Sequence, residues 1–149
     1  MNLKIKNYEL EVFAYILYQM KLGGKKSRMR TRLLKVIQNH INDLQEANES
    51  LIQEYAIHDE KGELVLADTE NKSYQLDPTT EDEFFKELEV LSNEEVVIEI
   101  NEATQEMILT VANLFLEEEI ELNQREAFIY DNLCEQLEQL IDHHDNENI

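Results

Sequence analysis

Residues 27–55, SRMRTRLLKVIQNHINDLQEANESLIQEY, run without a glycine or a proline. Leu33, Leu34, Ile37, Ile41, Leu44, Ala47, Leu51, Ile52 and Tyr55 recur at helical spacing. The steps 37, 41, 44, 48, 51 and 55 keep a near-heptad rhythm, with polar Asn48 at one seam position. The pattern predicts a single helix capped by Ser27, about 28 residues and ~42 Å long at 1.5 Å per residue. A helix of that length in a small domain is expected to fold against a neighbour as a hairpin. A coiled-coil dimer is the rival, although the pattern covers fewer than the roughly three to four heptads that such a dimer asks for.

Upstream, residues 8–22 place Leu10, Phe13, Ala14, Leu17 and Met20 on one helical stripe, widened by Val12 and Ile16. Asn7 is the expected N-cap, and Gly23-Gly24 the stop. Downstream, Leu64-Val65-Leu66 and Ser73–Leu76 are β-like runs beside the turn residues of Glu60-Lys61-Gly62 and Asp68–Asn71. They predict a small, exposed hairpin between helices, with plain loop as the alternative. Asp77-Pro78 and the Thr80/Glu83 capping pair open a helix whose buried face is Phe84, Phe85, Leu88 and Leu91. Val96–Ile100, β-branched and preceded by Asn93, is the best strand. Helical spacing resumes over 102–116 through Ala103, Met107, Ile108, Val111, Leu114 and Phe115, and Ile120–Leu122 reads as a short extended piece. Asn123 with Glu126 caps a last helix through Ala127, Phe128, Leu133, Cys134, Leu137 and Ile141. The expected fold is α+β and predominantly α-helical: a helical hairpin with one long helix, a β-hairpin insertion at 56–76, and C-terminal helices. One domain over residues 1–141 is expected, followed by a disordered polar tail, DHHDNENI, at 142–149.

Charge divides the chain in two. Residues 1–35 hold nine Lys and Arg against Glu9 and Glu11, a net of +7, whereas the other 114 residues carry 31 acids against four bases, a net of −27. The overall −20 predicts high solubility and repulsion from polyphosphate at long range, so no nucleic-acid partner is expected. A single cysteine excludes an intramolecular disulfide and fits a reducing compartment. MNLKIKNYEL lacks the apolar run of a signal peptide, and no stretch approaches the ~18 apolar residues of a membrane span, so a cytosolic protein without a membrane partner is expected.

No motif for phosphate, dinucleotide, zinc-protease or serine-hydrolase chemistry occurs, and neither an enzyme nor a cofactor is expected. The acid runs Glu81-Asp82-Glu83 and Glu117-Glu118-Glu119-Glu121 read as solvated, since general acid–base work needs a cleft that separates two pKa values. His143 and His144 between Asp142 and Asp145 lack the fixed geometry of a metal centre. His40 and His58 have no spaced partner. Cys134, on the apolar stripe with no cation beside it, reads as buried and inert. The basic stretch KKSRMRTRLLK, 25–35, opens a helix against its own macrodipole. The expected explanation is intramolecular: at least two of Arg28, Arg30 and Arg32 reach acids elsewhere in the chain, the alternative being contact with an acidic partner.

The segments MNLKIKNYEL, LGGKKSRMRTR (22–32), LSNEEVVIEI (91–100) and EAFIYDNLCE (126–135) resemble a family of small proteins of phages and prophages of Gram-positive bacteria, classed as a domain of unknown function. The resemblance implies a phage origin and a host cytoplasm, and carries over no catalytic residue. The middle, 56–80, is where such proteins vary.

The functional expectation is a non-enzymatic phage protein that binds another protein. The partner expected is a host nucleic-acid-binding or defence protein, met through an acidic face that imitates nucleic acid. Glu94, Glu95, Glu99, Glu102, Glu117, Glu118, Glu119 and Glu121 are the candidate contacts, with Arg28, Arg30 and Arg32 as a secondary basic contact. The alternative is a virion or tail assembly protein that forms homo-oligomers through the long helix.

Overall fold

A strand, β1 (Asn2–Lys6), begins the chain, followed by a 3-10 turn at Asn7–Glu9. Then come α1 (Leu10–Gln19), α2 (Gly24–Tyr55), β2 (Leu66–Asp68), β3 (Ser73–Tyr74), α3 (Glu81–Asn93), β4 (Glu95–Glu99), α4 (Gln105–Leu116) and α5 (Gln124–Glu147). The computed structural model describes residues 1–68, 70 and 73–148. The class is α+β with helices dominant, as the periodicity predicts. The chain forms two compact units: Met1–Ile41 with Glu95–Ile149, and Asn42–Glu94.

In the first unit β1 pairs antiparallel with β4, Leu3 opposite Ile98 and Ile5 opposite Val96. Alternation places Leu3, Ile5 and Ile98 in the core, and the opposite face carries Lys4, Lys6, Glu95, Val97 and Glu99. The turn after β1 is closed by Glu9, a buried carboxylate whose Oε1 accepts the Lys6 N–H at 3.0 Å. Asn7 therefore starts this turn and does not cap α1, which begins at Leu10.

Phe13 of α1 stacks on Phe115 of α4, with centroids 5.1 Å apart, and Phe115 meets Tyr130 of α5 at 5.0 Å. The Tyr130 hydroxyl donates to the Phe115 carbonyl at 2.7 Å, so the ring packs without leaving its polar atom unpaired. Met29, Leu33, Ile37 and Ile41 of α2 complete the core with Ile129, Leu133, Leu137 and Leu140 of α5. Gly24, at φ +57, opens α2 where Gly23-Gly24 was expected only to stop α1; Ser27 lies inside the helix. Asn123 and Glu126 form the expected capping box at 2.8 and 3.0 Å. Two expectations fail here. Residues 120–122 form no strand, and the tail is helical to Glu147 because α5 meets no breaker and His144 Nδ1 holds Gln105 Nε2 at 3.0 Å.

In the second unit the hairpin is present: β2 pairs with β3 antiparallel, and single bridges join Ala56 to Leu76 and His58 to Leu64. The 59–63 turn is organised by Asp59, whose Oδ1 accepts the Lys61 and Glu63 N–H groups at 2.9 and 3.0 Å, with Gly62 at φ +81. The other expected turn, Asp68–Asn71, lies partly outside the described residues. Thr80 precedes α3 but makes no side-chain cap; Asp77 Oδ1 instead accepts from the Thr79 N–H and hydroxyl at 2.9 and 2.7 Å. Among the described residues, only Ala56 and Phe84 of the 24 buried apolar residues belong to this unit, so its core is thin.

Candidate functional site

Each candidate acid keeps a local position set by its element. Glu95 and Glu99 stand on the outer face of β4, where Lys6 lies in register with Glu95 and Lys4 with Val97. Glu102 occupies the turn ahead of α4, which Asn101 shapes by accepting the Ala103 and Thr104 N–H groups at 2.9 and 3.1 Å. Glu117, Glu118, Glu119 and Glu121 follow the other end of α4; the 12 residues of that helix put about 18 Å between the two groups. Glu118 is half-buried and its carbonyl accepts from the Tyr130 hydroxyl at 3.4 Å. Glu94 ends α3 in the second unit. Within the first unit these carboxylates fall into separate groups, on β4, ahead of α4 and after α4, and all but Glu118 are exposed. No set of three His, Cys, Asp or Glu able to hold a metal ion occurs among the described residues.

The basic segment behaves differently from expectation. Arg30 Nη1 donates to the carbonyls of Leu17 and Met20 at 2.7 and 2.6 Å, closing the C-terminal end of α1. Arg28 and Arg32 are exposed and form no ion pair among the described residues. The expected arginine–carboxylate pairs are thus absent among the described residues, and Arg30 is spent on helix-end carbonyls instead. Lys25 instead pairs with Glu106 in the first turn of α4. That hydrogen bond, then the charge of Lys25, holds the Glu106 carboxyl below its ordinary range, and Arg32 adds a weaker pull.

Cys134 is half-buried, not buried, since it lies beside the stripe of Leu133 and Leu137. Burial still pushes its thiol pKa up, and Tyr130 opposes part of that shift by a hydrogen bond. His143 and His144 of α5 point to different partners: His143 Nδ1 is 3.5 Å from Glu147 on the same helix, and His144 faces Gln105 of α4.

Two apolar grooves were not legible. Between α1 and α2, a cavity of about 490 Å³ is lined by Ala14, Tyr15, Tyr18 and Leu34, with Glu11 and Lys35 of opposite sign at its rim. Between α2 and α3, inside the second unit, a cavity of about 410 Å³ has Ala47, Leu51, Val90 and Leu91 on its floor. Its charged rim is entirely acidic: Glu54, Glu87 and Glu94. Phe85 and Val90 on α3 are 50% and 58% exposed, so Phe85 departs from the buried face expected for that helix. The signal was present as i, i+3, i+4, i+7 spacing of residues 47, 50, 51, 54 and of 87, 90, 91, 94, but spacing alone does not say which faces meet.

The chain belongs to the family described as protein of unknown function (DUF1617), whose model matches residues 1–143. No curated protein and no solved structure matches it.

Proposed function

We propose that this member of the family is a non-enzymatic phage protein that acts in the host cytoplasm by binding another protein. Its exposed carboxylates meet a basic surface, and the partner class is a host defence factor whose groove is built for nucleic acid. One observation carries the reading. Among the described residues, a single cation of the nine in residues 1–35, Lys25, is in an ion pair, so the acids of the remainder are left largely unneutralised by their own chain. A charge excess of this kind raises association rates with a basic partner and loses strength as salt screens it. The several exposed acid groups suit a partner that contacts charge along a length, as a phosphate backbone is contacted.

The alternative, self-association through the long helix, has less support. Ile37 and Ile41 of the near-heptad seam are buried within the first unit, which leaves Leu44, Asn48, Leu51 and Tyr55, half-buried in the second, to form one. The test begins with affinity capture from a host lysate and identification of the bound protein. Replacement of Glu117, Glu118, Glu119 and Glu121 by Gln then removes charge while nearly preserving shape. Weaker binding by about tenfold or more supports the reading; unchanged affinity contradicts it.

A further inference from the structure

The acidic groove of the second unit has the form of a helix-binding site. On α2 it is lined by Ala47, Ser50, Leu51 and Glu54, and on α3 by Glu87, Val90, Leu91 and Glu94. Both sets follow i, i+3, i+4, i+7, so two helices each present two turns of one face to a shared trough. The trough is apolar along its floor, and a third helix laid in it would cover Leu51, Val90 and Leu91. Nothing basic lines it among the described residues, and Glu46 and Glu49 lie on the adjoining surface of α2, where a second depression shares Ser50 and Glu54. The unit as a whole, residues 42–94, carries 16 acids against three lysines. With Ala56 and Phe84 the only buried apolar residues among those described in it, it also gains more from covering Val90 than a unit with a full core would.

We propose that this groove docks a basic amphipathic helix of the protein partner, its apolar residues at i, i+3 or i+4 and i+7 against Leu51, Val90 and Leu91, and its flanking Lys or Arg on Glu54, Glu87 and Glu94. The inference rests on the protein-binding reading above and gives it a site that the acids of residues 95–121 do not include. A second copy of this chain is a poor occupant. Its only basic helical segment, 25–35, has Met29 and Leu33 already buried within its own unit. Nucleic acid is excluded by the sign of the rim.

The probe is a synthetic peptide of leucine and lysine, with leucine at i, i+3, i+4 and i+7, and a control of identical composition in scrambled order. Each is titrated into the isotope-labelled full chain, following backbone amide shifts and the dissociation constant. The patterned peptide is expected to bind at least about tenfold more tightly than the control, with shifts concentrated at 47–54 and 87–94. Val90→Lys, at a site exposed enough to leave the fold intact, is expected to weaken it by about tenfold, and paired Glu87→Gln and Glu94→Gln to flatten its salt dependence. Equal affinity for both peptides, no binding of either, or indifference to Val90→Lys would overturn the proposal, as would dimerisation through this face. Shifts confined to 117–121, lost when those four acids become Gln, would overturn the groove while leaving the carboxylate reading in place.

Discussion

Replacing Arg30 by methionine isolates what the basic segment contributes to stability. The side chain keeps its apolar stem, so the loss is confined to the guanidinium. Arg30 Nη1 holds the Leu17 and Met20 carbonyls at 2.7 and 2.6 Å. Hydrogen bonds from a charged donor contribute about 1.5–3 kcal/mol each, and a cation at a helix C-terminus adds a few tenths. Against this, Arg30 Nε is buried without a hydrogen-bond partner among the described residues, which withholds about 1–3 kcal/mol. The net expectation is a loss of about 2–3 kcal/mol, or roughly 4–12 °C in Tm for a chain of this size. Arg30→Lys should lose about half as much, because a single ammonium on a thinner stem does not reproduce the planar fork. Arg28→Met and Arg32→Met, at exposed positions, should stay within about 0.5 kcal/mol. Thermal and urea unfolding followed by circular dichroism measure all four variants. Equal losses for the three arginines, abolished by about 1 M salt, would refute the capping argument and restore the expected pairing with acids.

Phe115→Ala removes the ring between Phe13 and Tyr130 and should cost about 3–5 kcal/mol, read as a lower urea midpoint; less than about 1 kcal/mol would mean the stack is not central to the first unit. Tyr55 is raised from 10.0 to about 12, first by loss of solvation and then by its hydrogen bond to Glu83. A folded-state pKa above the unfolded one gives stability that is complete below pH 10 and is lost as pH rises through 12, so Tyr55→Phe should flatten the alkaline part of the stability profile. The thiol of Cys134, pushed up by burial, should react with a thiol reagent at neutral pH more slowly than free cysteine, and faster as pH rises. Rapid labelling at pH ~7 would contradict that assignment.

What the sequence made legible was whatever repeats within one element. The stripes of α1, α2 and α4 came from a 3.6-residue period, and the Asn123/Glu126 box from a local reciprocal pair. β1 is not legible in the sequence although Leu3 and Ile5 alternate. Five residues with two apolar positions are weak by themselves, and their partner β4 lies about ninety residues on. Spacing puts Phe128 with the apolar stripe of α5, yet it is 67% exposed while Ile129 and Leu140 are buried: one step along a helix turns a side chain by about 100°, enough to leave the core. Charge counting anticipated attraction between the basic segment and the acids, but it is blind to backbone acceptors, so the role of Arg30 required coordinates. The α2–α3 groove was hidden for a related reason. Apolar residues at 47, 51 and 91 look the same in sequence whether they fill a core or line an open trough.

The central claim is that the chain binds its partner through unneutralised carboxylates. The most direct measurement is the association rate of the intact chain with the captured partner, from about 50 to 500 mM salt. Electrostatic steering predicts a fall of about tenfold or more across that range, with a smaller change in the dissociation rate, and a shallower slope after Glu117, Glu118, Glu119 and Glu121 are replaced by Gln. An association rate indifferent to salt, and to those four substitutions, would contradict the account.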